Sequence, residues 1–218
     1  MDHGNLVVLE KEIPATTLAL AEPVSCCLNG AGQVAVAPGE SVVVLGTGPI
    51  GLLHIALAKL AGATTILAAG REGRLTAATD FGATCAVALT GEALTDEVRE
   101  RTNGRGADVV IVAVGDLALA NQALELAAIG GRVNYFAGFP KGKTASIDPN
   151  LIHYRELAVT GGSNARRADV RRAVELLSSG ALDVGRLVTH RFPLAELDAA
   201  VTAVARRDGL KVAVMPAA

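Results

Sequence analysis

Runs of consecutive apolar residues alternate along this chain with segments in which apolar residues recur every three or four positions. Such runs are typical of strands buried on both faces of a parallel sheet, and the recurring pattern is typical of the helices that cover it. The pattern predicts strands at residues 41–45, 65–69, 85–89, 108–113, 132–136 and 157–160. It predicts helices between them at residues 50–60, 72–81, 94–101, 117–127 and 150–154. We therefore expect an α/β fold with a doubly wound, six-stranded parallel sheet.

Further elements are predicted on both sides of this sheet. Residues 6–9 are predicted to form a short strand that Pro14 ends, and residues 18–30 favour helix on either side of Pro23. After the sixth strand, apolar and charged residues segregate to opposite faces over residues 168–178, which predicts an amphipathic helix. The remaining predicted elements are a strand at 187–192, a helix at 194–206 and a strand at 211–215.

The first predicted strand leads directly into a Gly-x-Gly-x-x-Gly motif at residues 46–51. In such a motif Gly46 permits the tight turn, Gly48 lets the backbone approach a pyrophosphate, and Gly51 lets the helix pack closely on the strand. Free N–H groups and the dipole at the helix start favour a negatively charged ligand, and Pro49 suits the first helical position. Strand, turn and helix in this order indicate a Rossmann-type dinucleotide site.

Glycines recur where the predicted strands end, at the edge of the sheet where a ligand lies in this fold. Glycine at these points permits close approach of the backbone to a ligand. The glycines concerned are Gly46, Gly70, Gly115, Gly138 and Gly161.

Composition and charge exclude several classes of function. Half of the 218 residues are hydrophobic and 19% are charged, so the chain has ample material for a core. The net charge of −2 gives no reason to expect nucleic acid or an acidic membrane surface as a partner. The first residues lack the pattern of a secretory signal, and no apolar run reaches membrane-spanning length. We therefore expect a soluble, cytoplasmic protein.

Eight short motifs follow one another in a characteristic order. They are Ala21-Glu22-Pro23, Val44-Leu45-Gly46-Thr47-Gly48-Pro49-Ile50-Gly51, Gly106-Ala107-Asp108-Val109-Val110, Ala113-Val114-Gly115, Gly130-Gly131-Arg132-Val133, Ile152-His153-Tyr154, Thr189-His190-Arg191-Phe192-Pro193-Leu194 and Lys211-Val212. Together they resemble the zinc-containing medium-chain alcohol and polyol dehydrogenases, especially the sorbitol and threonine dehydrogenase branch. The resemblance implies hydride transfer between NAD(P) and a secondary alcohol or polyol.

The resemblance also implies a division of the chain. Residues 1–37 correspond to a remnant of a GroES-like catalytic domain with a linking helix, and residues 38–162 to the NAD(P)-binding Rossmann domain. Residues 163–218 correspond to a closing helix and a return of the chain to the catalytic domain. Members of the family form dimers through the last strand of the sheet, so we expect a homo-oligomer or a partner chain that covers the catalytic-domain remnants.

The site residues implied by the resemblance concern mainly the cofactor, and no catalytic residue is assigned. Glu22 corresponds to a family glutamate beside the catalytic zinc, but the family's cysteine and histidine ligands have no counterpart here. Glu22 is otherwise explained as an acidic residue favoured by a helix start. The expected cofactor contacts are Gly46, Thr47, Gly48, Pro49, Ile50, Gly51, Gly70, Arg71, Arg74, Val114, Gly115, Ala137, Gly138 and Phe139.

The end of the second predicted strand favours NADP over NAD. An acidic residue about twenty positions after the glycines normally receives the ribose of NAD, whereas an arginine accommodates the 2′-phosphate of NADP. Gly70 stands where NAD-preferring relatives carry aspartate, and Arg71 and Arg74 follow it. Glu72 is the counter-evidence, because it could turn inward and receive the ribose. NAD therefore stays the alternative.

Three other interpretations stay open from the sequence alone. The chain could be an NAD(P)-binding module without chemistry of its own, or a subunit that a separately encoded catalytic domain completes. The zinc-free quinone reductase branch is a third alternative. The cysteines Cys26, Cys27 and Cys85 form no disulfide framework and are expected to be small buried apolar side chains, and His54 is expected to be packed in the core.

Overall fold

A six-stranded parallel sheet forms the centre of the computed structural model, which describes residues 7, 9 and 12–216. Its strands follow the spatial order β3-β2-β1-β4-β5-β6. All five neighbouring pairs are parallel, as the continuous apolar runs predict. The strands are β1 (Ser41–Leu45), β2 (Thr65–Ala69), β3 (Cys85–Val87), β4 (Ala107–Val112), β5 (Ala127–Tyr135) and β6 (Ala158–Gly161).

Helices connect these strands and cover both faces of the sheet. The helices are α1 (Ala15–Leu18), α2 (Ala21–Val34), α3 (Pro49–Leu60), α4 (Leu75–Asp80), α5 (Gly91–Arg101), α6 (Ala118–Leu126), α7 (Pro149–Tyr154), α8 (Arg167–Ser179) and α9 (Leu197–Arg206). Together with the parallel sheet, these helices confirm the predicted doubly wound architecture. Within the described residues, none of the helices is long and apolar enough to cross a membrane.

Side chains that alternate along each strand divide the core into two layers. On β1, Val42 and Val44 face one layer, where they meet the apolar sides of α2, α3 and α8. Val43 and Leu45 face the opposite layer, which α5 and α6 cover. Because strand side chains have a period of two, an apolar run is needed to fill both layers at once.

Several element boundaries differ from the sequence-based prediction, and three of the differences have a clear physical reason. Pro23 does not divide a helix, because it lies in the first turn of α2, where its missing N–H would have no partner. Helix α5 begins at Gly91 directly after Thr90, three residues before the amphipathic pattern starts. Strand β5 begins at Ala127, which pairs with Ala107 across a register shift. The strand therefore continues through two consecutive glycines, which interrupt the apolar run from which the strand was predicted.

The C-terminal elements form a small unit beside the main sheet. Strands β7 (Val188–Pro193) and β8 (Lys211–Met215) pair in parallel, and α9 packs on them. Leu197, Val201 and Val204 leave an exposed apolar stripe on α9. Of the predicted strand at residues 6–9, the structure describes only Val7 and Leu9, which pack against the core. The prediction of a strand therefore falls largely outside the described residues.

Candidate functional site

The turn after β1 has the geometry that the glycine motif predicts. Gly46 has a φ of 108°, a backbone conformation that side chains rarely allow. A Cβ atom at this position would also lie 3.0 Å from the Cβ of Val114. The N–H of Gly46 donates to the carbonyl of Ala69 at 2.7 Å, which holds the turn against the end of β2.

Gly51 is closely packed in this turn, whereas Gly48 is open. A Cβ atom at Gly51 would come within 1.8 Å of the carbonyl oxygen of Gly46, so the first turn of α3 packs directly against the loop. Gly48 is the residue before α3, and a Cβ atom there would meet no atom within 4 Å. The first N–H groups of a helix have no partner within it, so this open side offers free donors to an anion.

A cleft of about 410 Å³ opens above the carboxyl ends of β1, β2 and β4. This volume lies in the range of ordinary small-molecule sites. The cleft is therefore at the edge of the sheet where the strand-end glycines predict a ligand. Its lining residues are Leu45, Gly46, Thr47, Gly48, Ala69, Gly70, Arg71, Arg74, Leu89, Thr90, Leu94, Ala113, Val114, Asp116, Leu119 and Arg207.

Thr47 occupies the space beside Gly70 at the end of β2. A Cβ atom at Gly70 would lie 2.0 Å from Oγ1 of Thr47 and 2.6 Å from its Cγ2. Thr47 is itself only 3% exposed, so it cannot move aside without disturbing its neighbours. The structure therefore leaves no room for an aspartate at position 70 while Thr47 keeps this position.

Three arginines and one carboxylate line the cleft. Arg71 and Arg74 follow β2, Arg207 comes from the end of α9, and Asp116 follows β4. The guanidinium Nη2 of Arg74 donates to the carbonyl of Gly209 at 2.9 Å. Oδ1 of Asp116 accepts from the N–H of Ala118 at 3.0 Å, at the start of α6. The balance of charge in the cleft is therefore positive.

Apolar side chains form another part of the lining. Leu89, Leu94, Val114 and Leu119 belong to it, and Leu94 is fully buried. A cleft that combines an apolar wall with positively charged side chains suits a ligand that joins a flat ring to a phosphate. Of these four residues, the sequence predicted only Val114.

Seven of the predicted cofactor contacts line the cleft and seven do not. Those outside it fall into two groups, the first turn of α3 and the loops after β4 and β5. A Cβ atom at Gly115 would lie 2.2 Å from the carbonyl oxygen of Gly138, so these two loops touch each other. Phe139 packs against the core beside Tyr135 instead of facing the cleft. The residues outside are Pro49, Ile50, Gly51, Gly115, Ala137, Gly138 and Phe139.

Glu22 is exposed in the first turn of α2, and the only described polar partner of its carboxylate is a thiol. Cys26 Sγ lies 3.3 Å from the carboxylate Oε1 of Glu22, one helical turn away. Burial, helped by the acidic Glu22, raises the pKa of Cys26 and keeps it as a thiol. The part of the chain that the structure describes holds no group of three or more histidine, cysteine or acidic residues that could bind a metal. These residues therefore do not fit a tetrahedral zinc site.

The expected burial is confirmed for His54 and Cys27 but is wrong for Cys26 and Cys85, whose thiols lie beside the carboxylates of Glu22 and Glu97 instead of inside the core. His54 is fully buried on α3, with its ring 4.5 Å from that of Phe136, and burial lowers its pKa to about 4. Cys27 is buried, whereas Cys26 and Cys85 are half-buried. None of the three cysteines forms a disulfide within the described residues.

Comparison with known proteins identifies relatives of this chain. The sequence profile described as zinc-binding dehydrogenase matches residues 49–179. L-threonine 3-dehydrogenase of Bacillus licheniformis is 34% identical over 82% of this chain and 52% of its own length. Sorbitol dehydrogenase of Halalkalibacterium halodurans is 30% identical over 91% of this chain and 58% of its own length.

A solved structure shares the fold over nearly the whole chain. It is that of a protein from Sinorhizobium meliloti 1021 bound to NADP, with a TM-score of 0.83 and 33% sequence identity. The match covers 94% of this chain and 62% of that protein. The chain thus spans little more than half the length of the relatives that it matches.

Proposed function

Because the chain belongs to the zinc-binding dehydrogenase family, we propose that it is the cofactor-binding portion of an alcohol or polyol dehydrogenase. Residues 38–162 form its dinucleotide-binding domain. Residues 1–37 and 163–218 belong with a catalytic domain of the kind found in the longer relatives. The observation that carries this proposal is the cleft at the carboxyl ends of β1, β2 and β4, which combines the glycine turn with three arginines.

Each part of the cleft has a role in holding a nicotinamide dinucleotide. The backbone at Gly48 and the start of α3 receive the pyrophosphate in this proposal, because the space in which a Cβ atom at Gly48 would lie is open for 4 Å around. The apolar wall of Leu89, Val114 and Leu119 receives the adenine. The loops of Gly115 and Gly138, which touch each other outside the cleft lining, are assigned to the nicotinamide half of the cofactor in this proposal. When bound, the cofactor supplies the group that accepts or donates a hydride.

NADP is the preferred dinucleotide in this proposal. Thr47 excludes an acidic side chain at position 70, so nothing at that point repels a 2′-phosphate. Arg71 and Arg74 lie beside it, and Glu72 does not line the cleft. A hydrogen bond to a charged group contributes about 1.5–3 kcal/mol, which corresponds to a preference of roughly ten- to a hundredfold. The relative of known structure with NADP bound supports the same choice.

The substrate class follows from the relatives and not from the described residues. L-threonine 3-dehydrogenase and sorbitol dehydrogenase are named for substrates that carry secondary alcohols. We propose a small secondary alcohol or polyol as the substrate of the whole enzyme. The described residues lack a zinc site, so we assign no catalytic step to them.

The proposal also includes the cellular compartment and the oligomeric state of the protein. The three free thiols suit a reducing compartment, which favours the cytoplasm. The edge strand β6 is paired on one side only among the described strands, which favours a twofold homodimer through it.

Isothermal titration of the purified chain with NADP and with NAD tests the cofactor assignment. We expect binding of both, with NADP tighter by roughly ten- to a hundredfold at low salt. Raising the salt concentration should reduce this difference, because it screens the arginines. Tighter binding of NAD would contradict the choice of NADP, and absence of binding to either would contradict the proposed function itself.

A further inference from the structure

Arg207 lies far from the glycine motif in the sequence but lines the same cleft as Arg71 and Arg74. We infer that Arg207 is the third anchor of the 2′-phosphate, so that the C-terminal unit of β7, α9 and β8 completes the NADP site. This inference rests on the proposed preference for NADP. It adds a specificity-determining residue that the glycine motif and the end of β2 do not supply.

The backbone at Arg207 is firmly placed. It is the residue that ends α9, with a left-handed φ of 60°. Its N–H donates to the carbonyl of Val204 at 3.0 Å, and the N–H of Asp208 donates to that of Ala203 at 2.9 Å. Glycine is the usual residue at such a position, because other side chains are strained there. A residue other than glycine also ends α2 in this conformation, at Ala35, so the backbone alone does not single out Arg207, and its place in the cleft lining is what connects it with a ligand.

A hydrogen bond joins the loop that carries Arg207 to the side chain of Arg74. Nη2 of Arg74 donates to the carbonyl of Gly209 at 2.9 Å. On the other side of the loop, the N–H of Leu210 donates to Oγ1 of Thr189 at 2.9 Å. A Cβ atom at Gly209 would lie 2.2 Å from that same hydroxyl, so only glycine lets the loop come this close. The contact leaves the other donors of the Arg74 guanidinium available to a ligand.

The charges near this contact fit a phosphate monoester. Such a group carries between about −1.5 and −2 charges near neutral pH and presents three strong acceptor oxygens. Three guanidinium groups line the cleft, and Asp116 is the one acidic residue in the described lining. Asp116 already accepts the N–H of Ala118. The three arginines and Asp116 together give the lining a net charge of +2, which balances the dianion, whereas without Arg207 the net charge would be +1.

The arrangement couples two segments that are distant in the sequence. The turn at residues 71–74 follows β2, whereas Arg207 and Gly209 belong to the loop between α9 and β8. A 2′-phosphate that contacts both segments draws them together, and NAD lacks the group that would do so. Discrimination between the two dinucleotides therefore depends on the C-terminal unit as well as on the end of β2.

Replacement of Arg207 tests the inference directly. We expect Arg207→Ala to weaken NADP binding about tenfold and to leave NAD binding unchanged, as measured by isothermal titration. Arg206→Ala is the matched control, because Arg206 carries the same charge on the preceding residue but does not line the cleft. We expect this control to retain the affinities of the wild-type chain. Arg207→Lys should recover part of the NADP affinity.

Folding does not confound this test. Arg207→Gly suits the left-handed backbone and removes the guanidinium, so it should fold and should weaken NADP binding as the alanine variant does. An unchanged ratio of NADP to NAD affinity in both variants, with NADP still preferred, would overturn the role of Arg207 alone. A wild-type chain that binds NAD as tightly as NADP would overturn the proposed preference and this inference together.

Discussion

Gly48 and Gly51 belong to one motif, yet a side chain should have opposite consequences at the two positions. The space around Gly48 is open and its φ of −74° suits any residue, so Gly48→Val should keep the fold. The valine would occupy the path of the pyrophosphate. We expect the variant to lose at least tenfold in affinity for NADP and for NAD by isothermal titration, with little change in the free energy of unfolding.

Two glycine variants serve as controls for this experiment. Gly32→Ala lies on α2, where a Cβ atom also meets nothing within 4 Å, and it should bind the cofactor normally. Gly51→Ala would press against the carbonyl of Gly46 and should destabilise the fold itself. If the valine variant bound the cofactor as the wild type does, the assignment of the glycine loop would be wrong.

His54 should make stability depend on pH. Both ring nitrogens are buried without hydrogen-bond partners, and burial lowers the pKa from 6.5 to about 4. As pH falls through 6.5 the unfolded chain binds a proton at this residue, whereas the folded chain does not. The free energy of unfolding should therefore decrease between about pH 6.5 and 4, by roughly 3 kcal/mol in all.

Comparison of variants separates this effect from the titration of carboxylates in the same range. His54→Leu replaces the imidazole with an apolar side chain, and its denaturation midpoint should fall less steeply with decreasing pH than that of the wild type. His153→Leu removes an exposed histidine and should follow the wild-type curve. Parallel curves for all three proteins would show that His54 does not titrate as its burial requires.

At the level of elements, β6 has one unpaired edge among the described strands. It pairs with β5 on one side, and Val159 is 37% exposed. Edge strands of this kind invite pairing with another chain. We expect a dimer by light scattering at micromolar concentration. Val159→Lys should weaken it by about 1 kcal/mol per protomer, because it places like charges across the twofold axis.

The apolar stripe on α9 provides the alternative surface for the same experiment. Val201 lies in the middle of that stripe and is 59% exposed. Val201→Lys adds the same charge at a position outside β6, so it should leave a β6 dimer intact. Dissociation by Val201→Lys and not by Val159→Lys would place the interface on α9, and a monomeric wild type would contradict the proposed dimer.

For the whole molecule, we expect that the chain alone does not oxidise alcohols at an appreciable rate. Hydride transfer requires the alcohol to be deprotonated and held against the cofactor, and the described residues offer no metal site that could do this. The purified chain should contain much less than one zinc per molecule by elemental analysis. It should show no reduction of NADP or NAD with sorbitol, threonine or a simple secondary alcohol.

Incubation with zinc followed by dialysis gives the control for metal lost during purification. The zinc content should stay low, because Glu22 is exposed and the only described polar partner of its carboxylate is Cys26. Stoichiometric zinc together with steady turnover would contradict the prediction. The ligands would then have to be sought among Cys26, Cys27, His153 and His190.

The sequence by itself determined the main sheet and the place of the cleft. A strand buried on both faces needs an apolar run, and a helix on the sheet needs one apolar side, so both leave a local pattern. The turn at Gly46 and the packing at Gly51 leave an equally local sign, because only glycine fits there. Core positions such as His54 follow from the same periodicity.

Only the tertiary structure decided which distant residues share the cleft. Arg207 lines the same cleft as Arg71 and Arg74 because the C-terminal unit folds back onto the end of β2, where the carbonyl of Gly209 accepts from Arg74, and no pattern near residue 207 records that placement. Thr47 excludes a side chain at position 70 through a contact between two different strand ends. Such contacts depend on the relative placement of whole elements. Local periodicity indicates which element forms, but it carries no information about which other element lies beside it.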